Sequence, residues 1–392
     1  MISVDEALGL IHGHAAPLDP QTLPLADAVG LVLAADVHAP LDIPAYPQSG
    51  MDGYAFAHAD RHRPLTLVGE QPAGGTLARH LEPGQAVRIF TGAAVPPGAD
   101  TVLMQERASI RDGHLHVDEP GLPHGANVRP VGSEIANGAL ALPAGERLSP
   151  AAIGFLAGMG YDRVPAYPRP RVTILVTGDE LQSPGSPLGY GQVYESNSYL
   201  LRSALQRLQA GRVSIGRVPD DREALRQALA TALPASDIVL MTGGVSVGDH
   251  DHTREAFEAC GVRPLFHRVR QKPGKPLLFG VHGRQPVFGL PGNPASVLTC
   301  FYQYVCPALA ALTRQPPALR RIRAELVAPY RKPAGLTHFL KAEYRDGQVR
   351  LLDGQASYML HAFARANALA IMPEAVTHLE AGCRIDADIL PE

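Results

Sequence analysis

The chain has 392 residues, 45% of them hydrophobic and 19% charged, a balance that builds ordinary soluble cores and predicts more than one domain. A formal net charge of -3 speaks against a generic nucleic-acid binder, and without a basic leader or a run of about 18 apolar residues neither secretion nor a membrane span is expected. Cys260, Cys300, Cys306 and Cys383 are scattered with no C-x-x-C pair, so they read as free or buried thiols in a reducing compartment, and the expected location is the cytoplasm.

Ser3 and Glu6 form an S-x-x-E capping box, with Val4, Ala7, Leu8 and Ile11 at helical spacing, which predicts a short amphipathic helix. The proline-rich stretch 40–47 must run extended. Short β-like runs at 87–90 and 101–105 follow among Gly/Pro turns, and Asp112-Gly113 marks a hairpin, so residues 45–137 read as a mostly β domain. Ser149 as N-cap with Pro150 at the first helical position starts a helix ending near Gly158 or Gly160, and Pro165, Pro168 and Pro170 stiffen the linker beyond it.

The pattern then changes to alternating strands and helices. Strands are expected at 172–176, 213–218, 238–241 and 287–290. A helix from about Ser196 carries Leu200, Leu201, Ala204, Leu205 and Leu208 and stops at Gly211; a second follows an Asp220/Glu223 capping box; a long third begins with Asn293 as cap and Pro294. This alternation predicts a parallel sheet covered on both faces. Residues 314–317 form a second linker, after which an Asp346-Gly347 hairpin opens a small β domain.

In an open α/β sheet, ligands bind beyond the carboxyl ends of the strands. Here the strands end in Thr177-Gly178-Asp179-Glu180, Asp220-Asp221, Thr242-Gly243-Gly244-Val245-Ser246-Val247-Gly248 and Pro291-Gly292-Asn293. Glycine permits close backbone approach to a ligand, and helix N-termini after Gly244 and Asn293 offer N–H groups to an anion. Any one of these turns suits ordinary βα geometry. The set, together with the lysines, favours a phosphate-bearing ligand. Lys272, Lys275, Lys332 and Lys341 are the only lysines, and half of them sit in Lys272-Pro273-Gly274-Lys275-Pro276. An ammonium serves an oxyanion as a point charge, where guanidinium would impose a planar fork.

Asp249-His250-Asp251-His252 supplies carboxylates beside the expected phosphate site, which suits Mg2+. Zinc through His250 and His252 is the competing view but is disfavoured, because His-x-His also occurs at His12/His14 and His114/His116 and so is poorly specific in this chain. Asp220 and Asp221 read equally as helix caps or metal ligands, and Asp179 and Glu180 can cap a turn.

Taken together these loops resemble the MoeA family of molybdopterin molybdenumtransferases, which includes the C-terminal domain of gephyrin. The matching segments are Met51-Asp52-Gly53-Tyr54-Ala55, Phe90-Thr91-Gly92-Ala93, Val131-Gly132-Ser133-Glu134, Thr177-Gly178-Asp179-Glu180-Leu181, and residues 242–247, 272–276 and 289–294. The resemblance implies a multidomain α/β plus β fold: a discontinuous linker and helical domain (1–44 and 138–168), an inserted β-rich domain (45–137), a three-layer molybdopterin-binding α/β domain with a mostly parallel sheet (169–314) and a C-terminal β-barrel (315–392). It also implies a homodimer whose cleft lies between the α/β domain of one protomer and the inserted domain of the other. The reaction implied is insertion of molybdate into adenylylated molybdopterin, releasing AMP with Mg2+ assistance.

Carried over by motif, Asp52 and Thr91 reach the cleft from the partner subunit, and Glu180, Asp251, Lys272 and Lys275 complete the catalytic set. Mg2+ falls to Asp221, Asp251 and Glu180. Molybdopterin binding falls to Thr177, Gly178, Asp179, Thr242, Gly243, Gly244, Ser246, Gly248, Pro291, Gly292, Asn293 and Ser357. A molybdopterin adenylyltransferase and molybdoenzyme acceptors are the implied protein partners. Lys341 departs from the family's usual arginine, and Glu195 from its usual aspartate. Two other readings compete. A scaffold that kept the fold and lost the chemistry is opposed by intact Asp52, Asp251, Lys272 and Lys275; a nucleotide pyrophosphatase on the shared α/β domain is opposed by the 51–55 segment and the barrel.

Overall fold

The computed structural model describes residues 1–75, 80–244 and 252–391. The chain forms two compact units, one of Met1–Leu23, Gly30–Val32 and Pro165–Glu392, the other of Pro24–Val29 and Leu33–Val164.

The second unit holds a six-stranded sheet in the order Thr101–Met104, Gly53–Phe56, Gln85–Ile89, Leu65–Gln71, His114–Val117, Ala108–Arg111. Period-two alternation gives each face its own core, one around Ala55, Val87 and Val102 and the other around Phe56, Ala86 and Leu103. The Asp112-Gly113 hairpin forms as expected. So does the helix Pro150–Gly158, where Ser149 Oγ accepts from Ala152 N at 3.1 Å.

The first unit begins with α1 (Val4–His14), whose capping box is present: Ser3 Oγ accepts from Glu6 N at 3.1 Å and Glu6 Oε2 accepts from Ser3 N at 2.6 Å. Its central sheet comprises β1 (Val172–Thr177), β2 (Val213–Val218), β3 (Ile238–Thr242), β4 (Arg263–Arg268), β5 (Pro276–His282) and β6 (Gln285–Leu290), ordered β2-β1-β3-β6-β5-β4. The pairs among β2, β1, β3 and β6 are parallel. β5 and β4 are antiparallel additions that the sequence reading did not foresee, so the sheet is mixed.

Val172, Ile174 and Val176 face a core shared with α1, α2 (Asn197–Arg207), α5 (Pro294–Cys300) and α6 (Cys306–Thr313). Leu175, Val239 and Met241 face the opposite core, filled by Leu225 and Leu229 of α3 (Arg222–Ala235) and Ala256 and Phe257 of α4 (His252–Ala259). Burying each large aliphatic side chain contributes about 1.5–3 kcal/mol, so the two-faced strands anchor the layers and hold their carboxyl ends in one row.

Three helix details differ from the sequence reading. α2 ends at Arg207, ahead of Gly211. The cap of α3 is Asp221 rather than Asp220, its Oδ1 accepting from Glu223 N at 3.0 Å and Ala224 N at 2.9 Å. Between α5 and α6 the backbone widens into a π turn over Phe301–Val305, one residue short of Pro307, whose ring nitrogen has no hydrogen to donate to the carbonyl of residue 303. The combined helix Pro294–Thr313 is long and apolar enough to cross a membrane, but 72% of its apolar window is buried, and its side chains fill the core of this unit.

The C-terminal segment closes a barrel of five strands: Thr337–Arg345, Gln348–Leu351, Arg320–Leu326, Arg384–Ile389 and Ala368–Met372, the last pairing back with the first. The Asp346-Gly347 turn forms the expected hairpin. Gln271–Lys272 joins this sheet, running parallel to residues 337 and 338, so the lysine loop is tied to the barrel as well as to the α/β sheet.

Candidate active site

The carboxyl ends of β1, β2, β3 and β6 gather around a cleft of about 860 Å³. Thr177, Gly178, Glu180, Asp220, Gly243, Gly244, Lys272, Lys275, Pro291, Gly292, Asn293 and Ser357 all line it. At Gly243 the chain turns at φ 89° with the carbonyl of Thr177 so close that a Cβ would sit 2.1 Å from it; only glycine lets β3 leave the sheet there.

The lysine loop has a buried base and exposed charges. Gln271, fully buried, donates from Nε2 to the carbonyls of Pro273 and Gly274, each at 3.1 Å, and accepts from the Tyr304 hydroxyl at Oε1. Val269 N donates to the Lys275 carbonyl at 3.0 Å. The Lys272 and Lys275 side chains are exposed at the cleft, and no hydrogen bond or ion pair engages either ammonium among the described residues. Two free cations held on a fixed turn suit an oxyanion.

The floor carries a network of polar groups, of which Asn197 was not an expected site residue. Asn197 donates from Nδ2 to Thr242 Oγ1 at 2.9 Å and to the Gly292 carbonyl at 2.8 Å, coupling the turns after β3 and β6. Its Oδ1 and Thr177 Oγ1 are buried with no hydrogen-bond partner among the described residues. Glu195 is buried with both carboxylate oxygens accepting from Ser198, at 2.7 Å from N and 2.5 Å from Oγ. Neither Gln271 nor Asn197 was among the expected site residues: Asn197 ends the 194–197 segment in which Glu195 departs from the family's usual aspartate, and Gln271 is a polar residue beside the lysine loop.

Asn293 occupies the N-cap position of α5, but its side chain does not cap; Nδ2 donates instead to Ser357 Oγ at 3.0 Å. Ala295 N, one of the helix-end groups expected to face an anion, donates to the Ser357 carbonyl at 3.2 Å. The barrel thereby reaches the strand ends of the α/β sheet.

Other expected residues fall elsewhere. Thr242 is 1% exposed, its hydroxyl donating to the Pro291 carbonyl at 3.1 Å, so it braces the floor beneath the cleft. Asp179 Oδ1 accepts from Asp220 N at 3.3 Å, and Asp221 is occupied as the α3 cap; neither lines the cleft. Ser246, Gly248 and Asp251 lie outside the described residues. In the second unit, Asp52 Oδ1 accepts from Thr91 N at 2.7 Å and Thr91 Oγ1 at 2.8 Å, and these bonds, with Arg88 nearby, hold its carboxyl below the usual range. Below the lysine loop, burial and the charges of Lys332 and Lys272 push His338 down to about 4.

Exposed lysines, tight glycine turns and carboxylates at the strand ends of an α/β sheet, with Ser357 of a barrel loop at the edge, define a protein that handles an anionic, phosphate-like ligand. Comparison with known proteins makes this specific. Residues 2–160 match the MoeA N-terminal region (domain I and II), 173–311 the probable molybdopterin binding domain, and 323–390 the MoeA C-terminal region (domain IV). The molybdopterin molybdenumtransferase of Haemophilus influenzae is 32% identical over 396 residues, covering 97% of each chain. That of Nostoc sp. is 35% identical over 407 residues, covering 97% of this chain and 92% of the relative. The crystal structure of a molybdopterin biosynthesis MoeA protein from Pyrococcus horikosii superposes with a TM-score of 0.83 at 28% identity over 99% of each chain. The chain belongs to the MoeA family.

Proposed function

We propose that this protein is a molybdopterin molybdenumtransferase of molybdenum cofactor biosynthesis, inserting molybdate into adenylylated molybdopterin with release of AMP. The observation that carries the reading is the pair of exposed ammoniums, Lys272 and Lys275, unengaged among the described residues, on a buttressed turn beside the glycine-lined strand ends. The lysines attract and orient molybdate and substrate phosphate, while the glycine-rich turns after β3 and β6, which line the cleft, receive the pterin phosphate.

Among the described residues no group of three His, Cys, Asp or Glu gathers at metal-binding spacing. Mg2+ commonly takes one or two carboxylates and completes its shell with water and substrate phosphate, and Glu180 with Asp220 on the cleft wall fits that pattern. Held there, it would neutralise charge on the phosphoryl oxygens of the departing AMP.

The reading includes a homodimer in which Asp52 and Thr91 of one subunit complete the cleft of the other; exposed Asp52, fixed by Thr91 and kept ionised, suits such a role. An adenylyltransferase must supply the activated substrate and molybdoenzymes must accept the product. Four free cysteines agree with a reducing, cytoplasmic setting. AMP release from adenylylated molybdopterin, measured with and without molybdate, tests the reaction: release that rises with molybdate supports it, and release indifferent to molybdate removes it.

A further inference from the structure

Lys341 projects from barrel strand Thr337–Arg345 and is 1% exposed. Its Nζ donates to the carbonyls of Gly354 at 2.5 Å, Ala356 at 3.1 Å and Met359 at 3.1 Å. An ammonium has three N–H donors, so these acceptors use it completely. They also bracket Ser357 on both sides. Gln355 fastens the same loop, accepting from Lys341 N at 3.0 Å and donating to the carbonyls of Lys341 at 2.9 Å and Leu352 at 2.7 Å.

A buried charge needs partners, and a methionine would fill the same volume without that demand. Three carbonyls converging on one tetrahedral donor are therefore informative. They hold the loop from which Ser357 meets Asn293 Nδ2 through its hydroxyl and Ala295 N through its carbonyl, at the edge of the cleft.

We infer that Lys341 is a positioning residue: it acts through the 354–359 loop, fixing Ser357 and with it Asn293 at the cleft, and does not present its charge to substrate. The activity part of this inference rests on the molybdenumtransferase reading.

The test combines ligand-free hydrogen exchange with a double-mutant cycle of Lys341→Met and Ser357→Ala. Lys341→Met is expected to speed exchange in a peptide spanning 354–359 while a peptide spanning 222–235 keeps wild-type protection. It should lower kcat/KM for molybdate-dependent AMP release by roughly tenfold or more, the scale of a lost charge-assisted hydrogen bond. In the Ser357→Ala background it should add less loss than in the wild-type background, since the hydroxyl contact to Asn293 through which it acts is already gone while the backbone contact to Ala295 N remains. Lys341→Gln, which keeps two donors, replaces the methionine variant if that chain does not fold, with faster exchange in 354–359 and a loss of turnover expected in the same direction but smaller. Unchanged exchange in 354–359, or losses that multiply in the double variant, would overturn the proposal. If the wild-type protein releases no AMP in response to molybdate, the functional reading fails, yet the exchange measurement still decides whether Lys341 holds the loop.

Discussion

The Tyr304 hydroxyl donates to Oε1 of Gln271, joining the widened turn of the core helix to the base of the lysine loop. Both side chains are buried, so Tyr304→Phe leaves a buried acceptor unsatisfied. Urea unfolding should show a loss of about 1–3 kcal/mol, and AMP release should fall because the loop carrying Lys272 and Lys275 loses its brace. Stability and turnover both at wild-type level would mean that the loop is held by its other bonds.

Gly243→Ala combines a positive φ with a Cβ 2.1 Å from the Thr177 carbonyl. Relief requires moving β1 or β3, both buried on two faces. A loss of about 2–3 kcal/mol in equilibrium unfolding is expected. A stability change under half a kcal/mol or so, within the range of ordinary surface substitutions, would show that the turn relaxes without cost.

Much of the central sheet was legible because β1, β3 and β6, buried on both faces, are continuous apolar runs followed by turn clusters that line the cleft. β4 escaped notice because Arg263, Pro264, His267 and Arg268 break the apolar signal of an edge strand. β5 begins inside the proline-flanked lysine loop, whose turn chemistry obscured the run behind it. Adjacent Asp220 and Asp221 offer nearly the same capping spacing, and only the backbone path decides between them. The Asn293–Ser357 bond spans distant segments and leaves no local pattern, which is why a normal helix cap was expected at Asn293.

His338 gives the fold a defined pH response. Its folded pKa is pushed down to about 4 by burial first, then by Lys332 and Lys272, against an ordinary value of 6.5. Between those values the unfolded chain binds more protons than the folded one, so this contribution is complete above about pH 6.5 and is lost as pH falls toward 4. The stability difference between wild type and His338→Gln should shrink across that window as the pH is lowered; a difference independent of pH would remove His338 as the cause.

Mixing Asp52→Ala with Lys275→Ala tests the shared cleft. If chains exchange freely and clefts act independently, each heterodimer carries one intact site, and a statistical mixture recovers roughly a quarter of wild-type AMP release. Exchanged chains as inactive as either parent would place the action of Asp52 within its own subunit or make it structural.

The most direct measurement is molybdate-dependent AMP release by the Lys272→Ala/Lys275→Ala double variant, alongside its urea midpoint. Both side chains are exposed while the base of the loop is held by Gln271, so the midpoint should stay at the wild-type value. Turnover should fall by at least about a hundredfold, because each lost charge-assisted contact costs about 1.5–3 kcal/mol. Wild-type turnover in a folded double variant would contradict an oxyanion role for the lysine loop and the functional reading built on it.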